Sequence, residues 1–310
     1  MVEVFKTIEG RLSRIEKIEE GVWINLTHPS EKEITDVQQL LNIKTDFLRA
    51  PLDEEERSRI ESDNGQTLIL VDVPVIDKEG NRSIYTTIPL GIILIKHVIV
   101  TVCLKENTII RDFVDERVKS FLTQYKTRFV LQILYRNSVR YLQFLRHIEK
   151  ISNKIEKDLH RSMRNKELIQ MLRLEKSLVY FSTSLKSNEV VLEKLMKYEY
   201  IKYYPDDTDL LEDVIIENKQ AIEMANIYSS TLSGTMDAFA SIISNNLNIV
   251  MKYLTSVTII MAIPTMLSGF FGMNVPIPLS NNAYGFWIIV AMTIVICILA
   301  ILFLNRKNMF

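Results

Sequence analysis

Charge is missing where it is hardest to avoid. From Tyr253 to Asn305 the chain has no Asp, Glu, Lys or Arg, although these residues make up 24% of the whole. The stretch is therefore read as two membrane crossings joined by a short loop. Cysteine is scarce too. Cys103 lies in an apolar strand-like run and Cys297 in the last apolar segment, which excludes a disulfide framework and marks both as buried thiols. Four histidines, His28, His97, His147 and His160, are dispersed without metal-ligand or hydrolase spacing, and there is no glycine-rich phosphate loop. These absences argue against an enzyme and against an organic cofactor. A balance of 37 Lys and Arg against 38 Asp and Glu, with no basic stripe, argues against nucleic acid as a partner. The opening Met1-Val2-Glu3-Val4-Phe5-Lys6 has neither the basic region nor the apolar core of a signal peptide, so the amino-terminal part is expected in the cytoplasm.

Residues 1–115 read as an α/β domain, a sheet with packed helices. Val22 to Leu26 is a short β-like run, and Glu31 to Ile43 has helical spacing with Ile34, Val37, Leu40 and Leu41 on one side. Leu68 to Val73 follows the turn signal Asp63-Asn64-Gly65, and Ile84 to Leu90 follows Glu79-Gly80-Asn81. Ile92 to Ile95 and Val98 to Val102 are rich in β-branched residues; Lys96 and His97 divide them, and each half is too short to cross a membrane. Residues 116–206 change to long helices. Phe121, Leu122, Tyr125, Phe129, Ile133 and Leu134 recur at three and four, the pattern repeats from Leu168 to Leu195, and the polar knot His160 to Asn165 predicts the tip of an antiparallel hairpin.

After Tyr204-Pro205-Asp206-Asp207 a helix begins at about Thr208, with Asp209, Glu212 and Asp213 in its first turns, where the helix dipole favours acids. Nothing stops it before Pro264, which predicts a kink or a loosened turn. Residues 207–271 thus form a stalk that continues into the first crossing, on the order of 95 Å long at about 1.5 Å per residue. Leu210, Ala221, Leu232, Ile243 and Leu254 recur every eleven residues, a period that lets nearly straight helices bundle. The stalk is expected to pack against copies of itself; packing on its own domain is the other reading. Within the first crossing Ser244, Asn248, Met251, Thr255, Thr258, Ala262, Thr265 and Gly269 step by four and three along one face. Polar groups in hydrocarbon turn towards a bundle interior or a water-filled cavity, although small residues also serve close helix packing. Residues 272–285 form the outer motif and loop, 286–304 the second crossing and 305–310 a basic tail.

Gly272-Met273-Asn274, preceded by Phe271 and followed by a short loop and a second apolar helix, resembles the motif of the CorA family of divalent cation channels, the two-helix transporters of magnesium and cobalt. The resemblance extends to Leu52-Asp53-Glu54-Glu55-Glu56-Arg57-Ser58-Arg59-Ile60-Glu61, to Leu211-Glu212-Asp213 and to Pro264-Thr265 with Ser268-Gly269, and so covers essentially the whole chain. It implies a funnel-shaped homopentamer in the cell membrane, with an α+β cytoplasmic domain and an uptake pathway for Mg²⁺, with Co²⁺ and Ni²⁺ as further ions. Gly272, Met273 and Asn274 would form the selective outer mouth. Thr265, Thr258, Thr255 and Asn248 would continue the polar path, and Met251 and Leu254 would form an apolar constriction. Mg²⁺ is reluctant to shed its water, so a neutral amide ring suits the hydrated ion. Mg²⁺ would also be a regulatory ligand on Asp213, Asp53, Glu54, Asp63, Asp209 and Glu212. Lys252, Arg306 and Lys307 would form a basic collar, and the positive-inside tendency places both termini in the cytoplasm. Acids common in the outer loop of the family are absent from residues 275–285. A Zn²⁺ transporter of the same superfamily and a non-conducting membrane-tethered sensor or scaffold are the alternatives.

Overall fold

The computed structural model describes the chain apart from residues 80–81, 163–164, 199, 202–203, 274–283 and 308–310, and apart from the side chains at 78–79, 82–83, 160–162 and 205–206. Residues cluster into two units, Met1–Gly234 and Thr235–Phe310. In the first, strands β1 (Val2–Ile8), β2 (Arg11–Arg14), β3 (Val22–Thr27), β4 (Arg59–Asp63), β5 (Gln66–Glu79), β6 (Arg82–Leu94) and β7 (Val98–Cys103) form one sheet in the order β2-β1-β3-β7-β6-β5-β4. Only β3 and β7 pair in parallel; the other neighbours are antiparallel.

The helices of this unit are α1 (Glu31–Leu41), α2 (Thr45–Arg49), α3 (Thr108–Val114), α4 (Lys126–Ser162), α5 (Asn165–Lys197) and the first part of α6 (Pro205–Phe271). β3 is buried on both faces, as a central parallel-paired strand must be. Val22, Ile24 and Leu26 join Ile34, Val37, Phe47 and Leu48 of α1 and α2 in one core layer. Trp23 joins Phe5, Phe113, Phe121 and Phe129 in the other, and its indole Nε1–H donates to Thr101 Oγ1 at 2.8 Å. Ser30 and Glu33 make a reciprocal capping box on α1, and Asn42 ends it in a left-handed conformation. Gly91 lets the turn Ala50–Leu52 sit on the sheet, since a Cβ there would lie 2.2 Å from Pro51 Cγ.

Several expectations change. Leu40 is exposed, because the face of α1 that packs on the core is made by Ile34, Val37 and Leu41. Ile84–Leu90 and Ile92–Ile95 are not two strands; residues 82–94 form the single β6. Pro89 is tolerated there because β7 pairs only as far as Leu90↔Cys103, so the missing N–H falls where β6 has lost that neighbour. Phe121, Leu122 and Tyr125 precede α4 rather than opening it: Glu116 and Ser120 take positive φ, which an α-helix excludes. Of the eleven-residue line, Ala221 and Leu232 are buried within this chain. Leu211 and Val214 belong to the domain core, and Asn218 Nδ2 donates to the Leu185 carbonyl at 3.2 Å. The first part of α6 therefore spends its repeat on its own domain. The turn around Pro264 stays helical. Met163 and Arg164, at the expected hairpin tip, lie outside the described residues.

A polar knot ties α4 and α5 to β5. The Asp72 carbonyl accepts from Asn137 Nδ2 at 2.8 Å, Asn188 Nδ2 at 2.8 Å and the Tyr141 hydroxyl at 3.2 Å. Asn188 Oδ1 in turn accepts from the Asp72 amide at 2.8 Å and from the Ser58 hydroxyl at 3.0 Å. Burial pushes the Asp72 carboxyl above its ordinary value of 3.8, with a hydrogen bond from Ser184 opposing the shift. The folded state then holds this proton where the unfolded chain has released it, so stability falls as pH rises through and above the unfolded value. Asp72→Asn is expected to raise the melting temperature of the purified chain at about pH 7 and to change it little at about pH 4. An equal shift at both would remove the carboxyl from this account.

Candidate functional site

The unit Thr235–Phe310 contains the second part of α6 and α7 (Gly285–Arg306), both long and apolar enough to cross a membrane. Each has one less exposed face. On α6 it comprises Ser256, Val257, Ile260, Ile263, Leu267 and Phe271; on α7 it comprises Gly285, Ile289, Thr293, Cys297, Ala300 and Leu304. Both sets recur at helical spacing, as facing stripes of two paired helices do.

The polar and small residues of α6 avoid that face. Ser244, Asn248, Met251, Thr255, Thr258, Ala262, Thr265 and Gly269 are all exposed. At about 100° per residue they lie roughly opposite the covered stripe. Leu254 is exposed beside them. The Thr258 hydroxyl donates to the Leu254 carbonyl at 2.8 Å and the Thr265 hydroxyl to the Met261 carbonyl at 3.1 Å. The proton of each hydroxyl is thus committed to the backbone, and what each presents outward is oxygen lone pairs. The sequence reading missed Ser256. It is fully buried, off the polar stripe, and donates to the Lys252 carbonyl at 2.9 Å; its signal was a lone hydroxyl on an otherwise apolar face.

The helix closes at the motif. The Gly272 amide donates to the Ser268 carbonyl at 2.9 Å and the Met273 amide to the Phe270 carbonyl at 3.4 Å. Gly272 and Met273 are exposed, and Asn274 lies outside the described residues, as do 275–283. A side chain at Gly272 would bring its Cβ to 3.0 Å from the Ser268 carbonyl, so this turn leaves little room for one. Lys252, inside α6 just before its charge-free stretch, and Arg306 and Lys307, at the end of α7, are exposed.

The six regulatory acids divide by what holds them. Glu54 lies 3.3 Å from Lys105, and Asp63 lies 3.4 Å from Lys44. Asp53 Oδ1 accepts from the Glu55 amide at 3.0 Å. Asp209, Glu212 and Asp213 project exposed from the first turns of α6 and make no ion pair among the described residues. The structure brings no three metal-ligating side chains together within one chain among the described residues.

An α+β domain joined through one long helix to a pair of apolar helices at the carboxyl end defines a class of membrane transport proteins. The profile of the family described as "CorA-like Mg2+ transporter protein" matches residues 19–306, so the chain belongs to that family. The cobalt/magnesium transport protein CorA of Methanocaldococcus jannaschii is 29% identical over 301 residues, 93% of this chain and 90% of that protein. The complete structure of the CorA magnesium transporter from the same organism superposes with a TM-score of 0.85 at 26% identity, covering 100% of this chain and 99% of the other. The cytoplasmic domain of ZntB from Vibrio parahaemolyticus matches at TM-score 0.60 over 79% of this chain and 96% of that one; at 11% identity this is a similarity of fold alone.

The two faces of α6 predict opposite reactivities. In liposome-embedded protein, cysteine at Thr258 or Thr265 is expected to react with a membrane-impermeant thiol reagent, and cysteine at Ile260 or Ile263 to be protected. Equal labelling of both pairs would show that the exposed stripe does not border water.

Proposed function

We propose that this chain mediates Mg²⁺ uptake as a homopentameric channel of the cell membrane, with Co²⁺ and Ni²⁺ as further substrates. The observation that carries the reading is the α6 stripe: it lies opposite the less exposed face of the helix, it is uncharged, and Thr258 and Thr265 on it offer acceptors only. The waters around a bound Mg²⁺ point their protons outward, so a ring of lone pairs accepts from the hydrated ion without stripping it. A carboxylate at such a place would hold a divalent ion too tightly for rapid release. Influx needs no nucleotide: a divalent ion moving down an inside-negative potential gains roughly 4.6 kcal/mol per 100 mV.

In this pathway Asn274 forms the outer ring, with Gly272 and Met273 setting its turn. Thr265, Thr258, Thr255 and Asn248 line the passage, and Met251 and Leu254 form its apolar narrowing. The second helix forms an outer layer, and Lys252, Arg306 and Lys307 anchor the cytoplasmic side, which puts both termini inside. Ile216, Ile227, Ala238 and Ile249 support assembly from copies of the chain. They recur every eleven residues along α6 and are all exposed, two of the isoleucines by 62% and 59%. Asn274→Ala is expected to keep the protein in the membrane and to change the ratio of Mg²⁺ to Co²⁺ and Zn²⁺ influx in vesicles. An unchanged ratio would take selectivity away from this residue, Zn²⁺ influx exceeding Mg²⁺ in the original chain would favour the zinc reading, and no influx at low internal Mg²⁺ would favour a sensor or scaffold.

Cytoplasmic Mg²⁺ closes the channel in this reading, by binding the closed arrangement better than the open one. Asp209, Glu212 and Asp213 are favoured over Glu54 and Asp63, whose carboxylates already lie beside lysines. Since no three-ligand group forms within one chain among the described residues, such a site would draw its carboxylates, Asp53 included, from two chains. Asp213→Lys is expected to raise the internal Mg²⁺ needed for half-closure severalfold with influx at low internal Mg²⁺ retained; an unshifted closure curve would strike Asp213 from the regulatory set.

A further inference from the structure

Two clefts adjoin where α4 and α6 begin, within the amino-terminal unit. One, of about 450 Å³, is lined by Ser120, Tyr125, Thr127, Arg128, Tyr204 and Asp207, with Leu122 completing it. The other, of about 380 Å³, has Lys96, Lys126, Gln124 and Ile201 in its wall and shares Tyr125, Thr127 and Tyr204 with the first. Together they have the capacity of a small-molecule site.

Three features of the lining point to one kind of ligand. Tyr125 and Tyr204 stand between the clefts and are each 55% exposed, so large aromatic surface borders both openings. Arg128 is half-buried yet makes no ion pair with any described residue, and a guanidinium so placed is the side chain that recognises phosphate oxygens. Lys96 is exposed in the second cleft, while the Lys126 ammonium is already engaged by the carbonyls of Ile95 and Lys96 at 3.0 and 2.8 Å. Asp207 is 3% exposed, and among the described residues its Oδ2 receives only a long, 3.4 Å bond from the Tyr204 amide. A carboxylate beside a phosphate-binding arginine would repel a bare anion. It would instead welcome a phosphate that carries a divalent metal, because Mg²⁺ is commonly held by one or two carboxylates together with phosphate oxygens.

We propose that these clefts bind the Mg²⁺ complex of a nucleoside polyphosphate, with the base stacked on the Tyr125–Tyr204 wall, the phosphates on Arg128 and the metal on Asp207. This site is separate from the ion pathway and does not depend on the pore reading. It contains no glycine-rich loop, so the nucleotide is held as a ligand by side chains rather than in a phosphate-wrapping turn. Because Tyr204 and Asp207 lie at the very start of α6, occupancy would report the cytoplasmic Mg²⁺–nucleotide level at the head of that helix.

The test is equilibrium binding of ATP and of GTP to the full chain in lipid nanodiscs, with Mg²⁺ and with chelator, and with inorganic triphosphate as competitor. Saturable binding of at least one nucleotide in Mg²⁺ is expected. Arg128→Gln and Tyr204→Ala should each weaken it about tenfold, and Asp207→Asn should leave a residual affinity that no longer responds to Mg²⁺. Arg128 is partly exposed, so its replacement tests the site even if the buried Asp207 variant fails to fold. Absence of saturable binding for both nucleotides, displacement by triphosphate as effective as by the nucleotide itself, or wild-type affinity in Arg128→Gln would each overturn the proposal.

Discussion

A hydroxyl inside hydrocarbon must give its proton to something, and that requirement shapes the membrane part of this chain. An unsatisfied polar group there costs several kcal/mol. The i−4 carbonyl of the same helix is the nearest acceptor, and Thr258, Thr265 and Thr293 all use it. The consequence reaches beyond stability. Once its proton is committed, a threonine is an acceptor only, and a row of such threonines is matched to groups that donate. The ligand that donates in every direction without being negatively charged is a hydrated cation. The same back-bonding makes Ser256 silent, since it lies on the covered side.

The long helix could be read from the sequence, but the division of labour along it could not. An unbroken helical pattern, with only the lone Gly234 before Pro264, specifies one helix, and α6 does run from Pro205 to Phe271. The eleven-residue line through Leu210, Ala221 and Leu232 says that one face is apolar; it does not say what that face touches. Ala221 and Leu232 turned out to pack within their own chain, whereas the parallel line Ile216, Ile227, Ala238 and Ile249 stays exposed. Two apolar faces with the same period are what a helix needs if it is to join its own domain and also meet a copy of itself. Periodicity alone could not rank them, because a helix buried by its own domain and a helix buried by a partner obey the same 3.6-residue geometry.

The α+β domain was legible where strands are buried on both faces and obscure where tertiary context decided. Val22–Thr27 and Val98–Cys103 announce themselves as continuous β-branched and aromatic runs because both their faces are covered. β1 and β2 are less buried and carry no such run, and they went unread. Ile84 to Leu90 and Ile92 to Ile95 were read apart, whereas β6 runs through both, and the length of β7 explains why it can carry Pro89. In the same way the polar knot at Asp72 is invisible in sequence. Its asparagines come from helices far along the chain, and each would pass as an ordinary surface residue until the fold brings them to one carbonyl.

Charge is placed with the same economy at the two ends of the proposed pathway. The loop after the motif has no acid to concentrate cations, so discrimination there would fall to hydrogen bonding at Asn274 rather than to electrostatic capture, and would be correspondingly insensitive to salt. At the other end the carboxylates are plentiful, but lysines already sit beside Glu54 and Asp63. A divalent ion competing for those acids must displace an ammonium, whereas one approaching Asp209, Glu212 and Asp213 meets three like charges on adjacent turns of one helix. Their mutual repulsion raises the free energy of the unliganded arrangement, and a cation that bridges them to a neighbouring chain relieves it. That difference in starting free energy, more than the number of acids, is what would let a modest change in internal Mg²⁺ shift the balance between two arrangements of the helix.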